Sequence, residues 1–179
     1  MFKRINILVI INAHLSTLRQ IDRVSKGIYW KDLVLFFIIP IITSALLTWK
    51  NIDLTDEVAN LITAFAILGG FLFNLLALIY NSMDKLASDV AQTNISIKKI
   101  FLKEIHANIS FSILLSIFTV IFLLLYSYKY PNIIPYTYLK RGLLFINYFL
   151  LLLFFLTILM VLYRIFILLK KDVENINVK

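Results

Sequence analysis

The stretch AFAILGGFLFNLLALIYNSMDK, residues 64–85, decides the fold of this chain. It belongs to a run from Ala59 to Tyr80 that contains no charged residue. A helix needs about 20 apolar residues to cross the hydrocarbon of a bilayer, and this run supplies them. Gly69, Gly70 and Asn74 interrupt the large apolar side chains. The stretch is therefore predicted to be a membrane-spanning helix with one face that contacts protein instead of lipid.

Three further apolar runs have the same character: Leu33–Trp49, Ile109–Tyr128 and Gly142–Tyr163. The 179 residues are 61% hydrophobic and 16% charged, whereas soluble domains have about 45–50% and about 25%. We therefore predict an all-α integral membrane protein, a single domain over residues 1–179 with four transmembrane helices. Pro40 is expected to kink the first helix, with a Ser or Thr hydroxyl bonding the freed carbonyl.

Positive charge predicts the orientation of the four spans. Only Lys50, Lys129, Lys140 and Arg141 of the 18 Lys and Arg residues fall on the side of the two short loops. The other 14 fall in the N-terminal segment, in residues 81–107 and near the C-terminus. By the positive-inside rule both termini are predicted to be cytoplasmic. Contact with anionic lipid explains the net charge of +8, so no direct nucleic-acid binding is expected.

The N-terminal segment, residues 1–30, is predicted to hold a cytoplasmic amphipathic helix at the membrane surface or against a partner. Four apolar residues at helical spacing form its face: Leu8, Ile11, Leu15 and Leu18. A signal peptide fits less well, because no A-x-A cleavage site follows and Arg19 and Arg23 come soon after.

Two other segments are predicted to be cytoplasmic. Apolar residues at helical spacing in 81–107 predict a loop built as a helical hairpin, broken near Gln92–Ser96. The tail, residues 164–179, begins with Arg164, which can reach the headgroups and adds to the cytoplasmic interface.

The two loops on the opposite side are short. In KNIDLTDEV, residues 50–58, Asp53 or Thr55 is suited to cap the second span. Residues 126–141 hold five tyrosines and two prolines, which favours an interfacial aromatic belt over a ligand-binding patch.

Polar residues form stripes at helical spacing along several spans. They include Asn60, Thr63, Gly70 and Asn74 in the second span, Ser112, Ser116 and Thr119 in the third, and Asn147 and Thr157 in the fourth. Such stripes usually pack helices together, because small residues allow close approach and amides bond across an interface. The alternative is that they line a wetted path.

The composition argues against an enzyme. No Asp, Glu, Lys, Arg or His lies in the core of any span, as ion-coupled transport and intramembrane catalysis usually require. The chain has no cysteine, and neither His14 nor His106 has a ligand-spaced partner. We expect no catalytic residue, no metal and no cofactor.

The stretches YWKDLVLFFIIP, LTDE and LGGFLFNLLALIYNSMDK sit in a four-span architecture. This architecture resembles the small membrane proteins of bacterial anti-phage defence loci, namely the membrane accessory proteins of type VI CRISPR loci and the membrane subunit of Kiwa systems. The resemblance covers the architecture of the whole chain and transfers no functional residue. It implies a role at the inner membrane in sensing infection or lowering membrane integrity.

Three functional hypotheses follow. The first is an oligomeric effector or sensor that forms a pore or perturbs the bilayer; four helices are too few to enclose a wide path, so several copies are needed. The second is a membrane anchor or adaptor that recruits a soluble cytoplasmic protein. The third is a small housekeeping channel or transporter subunit. The expected partners are lipid, further copies of the chain and a soluble protein.

Overall fold

The computed structural model describes residues 6–18, 30–88, 95–128 and 134–176. In these ranges the chain is 94% helical and has no strand, which confirms the predicted all-α class. The elements are α1 (Ile7–Thr17), α2 (Trp30–Leu33), a π-helical turn (Val34–Ile38), α3 (Ile39–Trp49), a 3-10 turn (Thr55–Glu57), α4 (Val58–Ser88), α5 (Ile95–Ser127) and α6 (Ile134–Ile176).

Several predicted features fall wholly or partly outside the described residues. They are part of the N-terminal segment, part of the predicted break near Gln92–Ser96, the middle of the tyrosine-rich loop and the end of the C-terminal tail.

Among the residues that the structure describes, four helical segments are long and apolar enough to cross a membrane: Lys31–Trp49, Thr55–Asp84, Lys99–Ser127 and Tyr136–Lys170. Each overlaps one of the four predicted runs. The helices extend past the uncharged cores, because charged side chains at a membrane surface do not interrupt helical hydrogen bonding. The 31 residues of α4 span roughly 46 Å, more than the roughly 30 Å of hydrocarbon.

Helix α5 is the centre of the bundle. It packs along α4 and α6, α3 packs along α6, and α1 lies against α5. Half of the apolar window of α5 is buried (50%), compared with 17–22% in the other three spans. The outer surfaces of α3, α4 and α6 are therefore left to contact lipid or other protein.

Pro40 is accommodated by the backbone. Proline has no N–H and its ring collides with the carbonyl four residues earlier, so a regular α-turn is unfavourable there. The wider π-helical turn Val34–Ile38 comes directly before it and makes room for the ring. The predicted hydrogen bond from a Ser or Thr hydroxyl to the freed carbonyl is not observed: Ser44 Oγ and Thr48 Oγ1 are buried and have no hydrogen-bond partner among the described residues.

The segment 81–107 is helical wherever it is described, as the ends of α4 and α5. Leu102 and Ile105 are buried in the same core as Ile109. The packed core of the bundle therefore extends beyond the predicted start of the third span, toward the N-terminal end of α5.

Candidate functional site

The polar stripe of α4 lies on the side of the helix that faces away from the rest of the chain. Its four predicted members, Asn60, Thr63, Gly70 and Asn74, are all exposed. The opposite side of α4 is buried and apolar, through Val58, Phe65, Leu72 and Ile79. Among the described residues these four candidates lie on the exposed side of α4, so their role in packing between copies stays a prediction.

The hydrogen bonds of the α4 stripe are local. Asn60 Nδ2 donates to Glu57 Oε2 at 3.0 Å, and Thr63 Oγ1 donates to the Ala59 carbonyl at 2.9 Å. Asn74 makes no hydrogen bond to any described residue.

Gly69, and not Gly70, is the glycine at a helix contact. Gly69 is buried, and a Cβ added there would lie 3.3 Å from Ser116 Oγ of α5, whereas nothing lies within 4 Å of such an atom at Gly70. Sequence reasoning placed Gly70 on the polar stripe and missed Gly69. The available signal was that Gly69 shares a helix face with Phe65 and Leu72.

The predicted polar residues of α5 and α6 are buried. Ser116 Oγ donates to the Ile113 carbonyl at 2.8 Å, and Thr157 Oγ1 to the Leu153 carbonyl at 2.7 Å, so both hydroxyls bond their own helix. Asn147 does more. Its Nδ2 lies 2.9 Å from the Leu143 carbonyl of α6 and 3.2 Å from the Phe122 carbonyl of α5, which joins the two helices. Aromatic rings fill the space nearby, with the Phe65 and Phe154 centroids 4.6 Å apart.

A second polar group, which we name the α1 cluster, lies at the predicted cytoplasmic end. It consists of His14, Thr17, Glu104, Asn108 and Arg164. His14 Nδ1 lies 2.8 Å from Asn108 Oδ1, and Thr17 Oγ1 donates to the same oxygen at 2.9 Å. Arg164 NH2 donates to the Thr17 carbonyl at 2.8 Å, and NH1 pairs with Glu104 Oε2 at 2.8 Å. The cluster therefore ties α1 to both α5 and α6.

The His14 ring contacts two aromatic rings. It stacks on Phe111 with centroids 3.9 Å apart, and Phe36 meets it edge-on at 6.3 Å. Burial lowers the pKa of His14 to about 4, with the hydrogen bond to Asn108 acting in the opposite direction and the charge of Arg164 adding to the decrease. His14 is neutral at pH 7, and its Nε2 has no partner among the described residues.

The predicted interface residues of the N-terminal segment divide into two groups. Leu18 is 3% exposed and belongs to the bundle core, and Ile11 packs partly against it. Leu8 is 67% exposed and Leu15 36%. Arg164, predicted to reach the headgroups, is in the ion pair of the α1 cluster, where its side chain is 12% exposed.

A third polar group, the loop cluster, joins the first loop to α5 and α6. Tyr126 donates to Asp53 Oδ1, Thr55 donates to the same oxygen through N (2.9 Å) and Oγ1 (2.7 Å), and Lys140 Nζ lies 3.7 Å from Oδ2. Burial alone would raise the pKa of Asp53, but the bonds from Tyr126 and Thr55 and the charge of Lys140 outweigh it, so the pKa is well below its usual value. Asp53 thus accepts from the Thr55 N–H at the start of the turn before α4, where Leu54 is the capping residue and makes no side-chain cap bond.

Comparisons with protein-family models, with curated proteins and with solved structures gave no match. Within the part of the chain that the structure describes, no three His, Cys, Asp or Glu side chains are grouped so that they could hold a metal ion.

Proposed function

We propose that the protein is a homo-oligomeric component of the bacterial inner membrane whose copies associate through the exposed stripe of α4. The observation that carries the proposal is Asn74. It is exposed on a membrane-spanning helix, on the side opposite the packed face, and has no hydrogen bond within the described part of its own chain.

The physical reason is the cost of an unbonded amide in hydrocarbon. Water is absent there, so an exposed amide gains by bonding to an amide or carbonyl of a neighbouring helix. Asn74 lies six residues, roughly 9 Å, from Tyr80 and well inside the candidate span. Gly70, one turn away, has open space around it and allows a second helix to approach closely.

The proposed activity is that of an effector or sensor that opens a path or perturbs the bilayer. Within one copy the aromatic rings of Phe65 and Phe154 occupy the space between α4 and α6. A path would therefore lie between copies, next to the α4 stripe. The anti-phage context comes from the architectural resemblance stated above and belongs to the proposal.

The test compares Asn74→Leu with Phe73→Leu, an apolar change at the neighbouring position, which is 57% exposed. The mass of each protein in mild detergent is measured first, then dye and ion release from liposomes. We expect the wild type and Phe73→Leu to form one symmetric oligomer. Each amide pair lost in Asn74→Leu should weaken association about 3-fold to about 30-fold, and reduce release accordingly.

Equal mass and release for Asn74→Leu and Phe73→Leu would contradict the proposal. A wild-type monomer that co-purifies with a soluble product of a neighbouring gene would instead support the membrane anchor. In that case the exposed residues of α1 become the first candidates for the contact.

A further inference from the structure

The polarity of α1 is reversed relative to that of a helix lying on a soluble surface. Two of its polar residues, His14 and Thr17, face α5 and are buried, at 1% and 7% exposure. Large apolar side chains point away from the protein, with Leu8 67%, Val9 60% and Leu15 36% exposed. A helix with water on its outer side shows the opposite pattern. The outer side of α1 therefore fits an apolar surrounding.

The lack of charged side chains on α1 also fits an apolar surrounding. From Asn6 to Leu18 the chain carries no Asp, Glu, Lys or Arg, and its single titratable side chain, His14, is buried and neutral at pH 7. The exposed Ser16 hydroxyl is bonded to the Ala13 carbonyl at 2.6 Å, so it needs no water. Asn12 is exposed on the same side, and its amide can donate to lipid ester carbonyls at the edge of the hydrocarbon.

The position of α1 along α5 gives the depth of α1 in the bilayer. Tyr126 bonds Asp53 in the loop between two candidate spans, so this end of α5 is at one membrane surface. Asn108 lies 18 residues, roughly 27 Å, further along α5, and Phe111 lies roughly 22 Å along it. The hydrocarbon is about 30 Å thick, so both residues lie within it, near the boundary opposite Tyr126. His14, which contacts both, is at the same depth.

We propose that α1 is embedded in the cytoplasmic leaflet, where lipid acyl chains cover Leu8, Val9 and Leu15 and the bonds of His14 and Thr17 to Asn108 hold the helix against α5. The bound partner is lipid, and not a second copy or a soluble protein. Because Arg164 bonds the Thr17 carbonyl and pairs with Glu104, α1 connects this leaflet to two spanning helices. The inference is independent of association through α4.

The chain has no cysteine, so single cysteines can be spin-labelled without other changes. Leu8→Cys and Leu15→Cys are labelled in vesicles of phosphatidylethanolamine and phosphatidylglycerol. Collision rates with oxygen, which concentrates in lipid, and with a water-soluble nickel chelate are measured by power saturation. Leu159→Cys, 59% exposed on the outer surface of α6, is the lipid control, and Lys99→Cys, exposed at the cytoplasmic end of α5, is the water control.

We expect the oxygen-to-nickel ratio at both α1 positions to lie within about 2-fold of the ratio at Leu159→Cys. A nickel collision rate equal to that at Lys99→Cys would overturn the inference, because the outer side of α1 would then face water. Low rates for both reagents with an immobile label would also overturn it, because protein would then cover α1. Repeating the measurement in an Asn74→Leu background should leave the ratio unchanged.

Discussion

Acidification should weaken the docking of α1 on α5, because His14 is buried in its neutral form. The pKa of His14 is about 4 in the docked state, against 6.5 for an ordinary histidine. Above pH 6.5 neither state binds a proton at His14, and stability is highest. Between pH 6.5 and pH 4 the unfolded state, in which His14 is exposed to water, takes up a proton that the docked state does not, so stability falls as the pH falls. Below pH 4 both states are protonated and no further loss is expected.

The magnitude follows from the difference in pKa. Each unit corresponds to about 1.4 kcal/mol, so the folded state should lose about 2 kcal/mol between pH 8 and pH 5, and about 3 kcal/mol by pH 4. In equilibrium terms this is about 30-fold and about 150-fold. These values are a large fraction of the free energy of unfolding of a typical protein, which is roughly 5–15 kcal/mol.

Other charged groups near His14 make a matched control necessary. Arg164 of α6 acts on His14 directly, and Glu104 of α5 is paired with Arg164. His14→Gln keeps a side chain that can bond Asn108 but removes the titration. The difference between the wild type and His14→Gln at each pH therefore isolates the contribution of His14 from that of the ion pair.

Two measurements follow this difference. The free energy of unfolding is obtained by SDS titration in mixed micelles from about pH 8 to about pH 4. The His14 ring is titrated by NMR, which is simple because the only other histidine is His106. We expect the two unfolding curves to diverge below pH 6.5. Parallel curves, or a His14 pKa near 6.5 by NMR, would refute the reasoning that burial keeps this ring neutral.

Two further predictions concern helix contacts. Gly69→Leu should lower the free energy of unfolding by about 1–3 kcal/mol, because the new side chain meets Ser116. Gly70→Leu has open space around it and should change the free energy of unfolding of the monomeric protein by no more than about 0.5 kcal/mol. Equal losses for the two variants in SDS unfolding would contradict the α4–α5 contact. Arg164→Met should cost about 3–5 kcal/mol, because it leaves Glu104 largely buried without its charge partner. Adding Glu104→Met should recover most of that loss, and additive losses in the double variant would show that the pair is not coupled.

The spans were predictable from the sequence, but the packed faces were not. Long uncharged runs identify membrane helices because hydrocarbon tolerates few charges, and this depends on composition alone. In a soluble protein the apolar face of a helix points inward. In lipid both faces are apolar, so the stripe through Asn60 and Asn74 could not be assigned to the inside or the outside of one copy from the pattern. The structure places it outside.

The α1 cluster was missed for a different reason. Glu104 fell in a segment predicted to be a cytoplasmic loop, Asn108 lay just before the predicted third span, and neither was expected in the core. One signal was present: Asn108 continues the stripe of Ser112, Ser116 and Thr119 by one helical turn, and all four are buried. The contact of His14 could not be predicted, because nothing in the chain order brings it to Asn108, 94 residues away.

Hydroxyl and amide groups carry different information in this bundle. Thr63, Ser116, Thr119 and Thr157 each donate to a carbonyl of their own helix, whether exposed or buried, so a stripe of hydroxyls needs no neighbour. An asparagine amide has two donors and an acceptor, and bonds within its own helix leave part of it unused. Asn147 and Asn108 use theirs to bond other helices, and Asn60 bonds Glu57 at the end of α4. Asn74 alone among these four asparagines has no partner in the described chain, and this is why it is the residue at which a second molecule is proposed to bind.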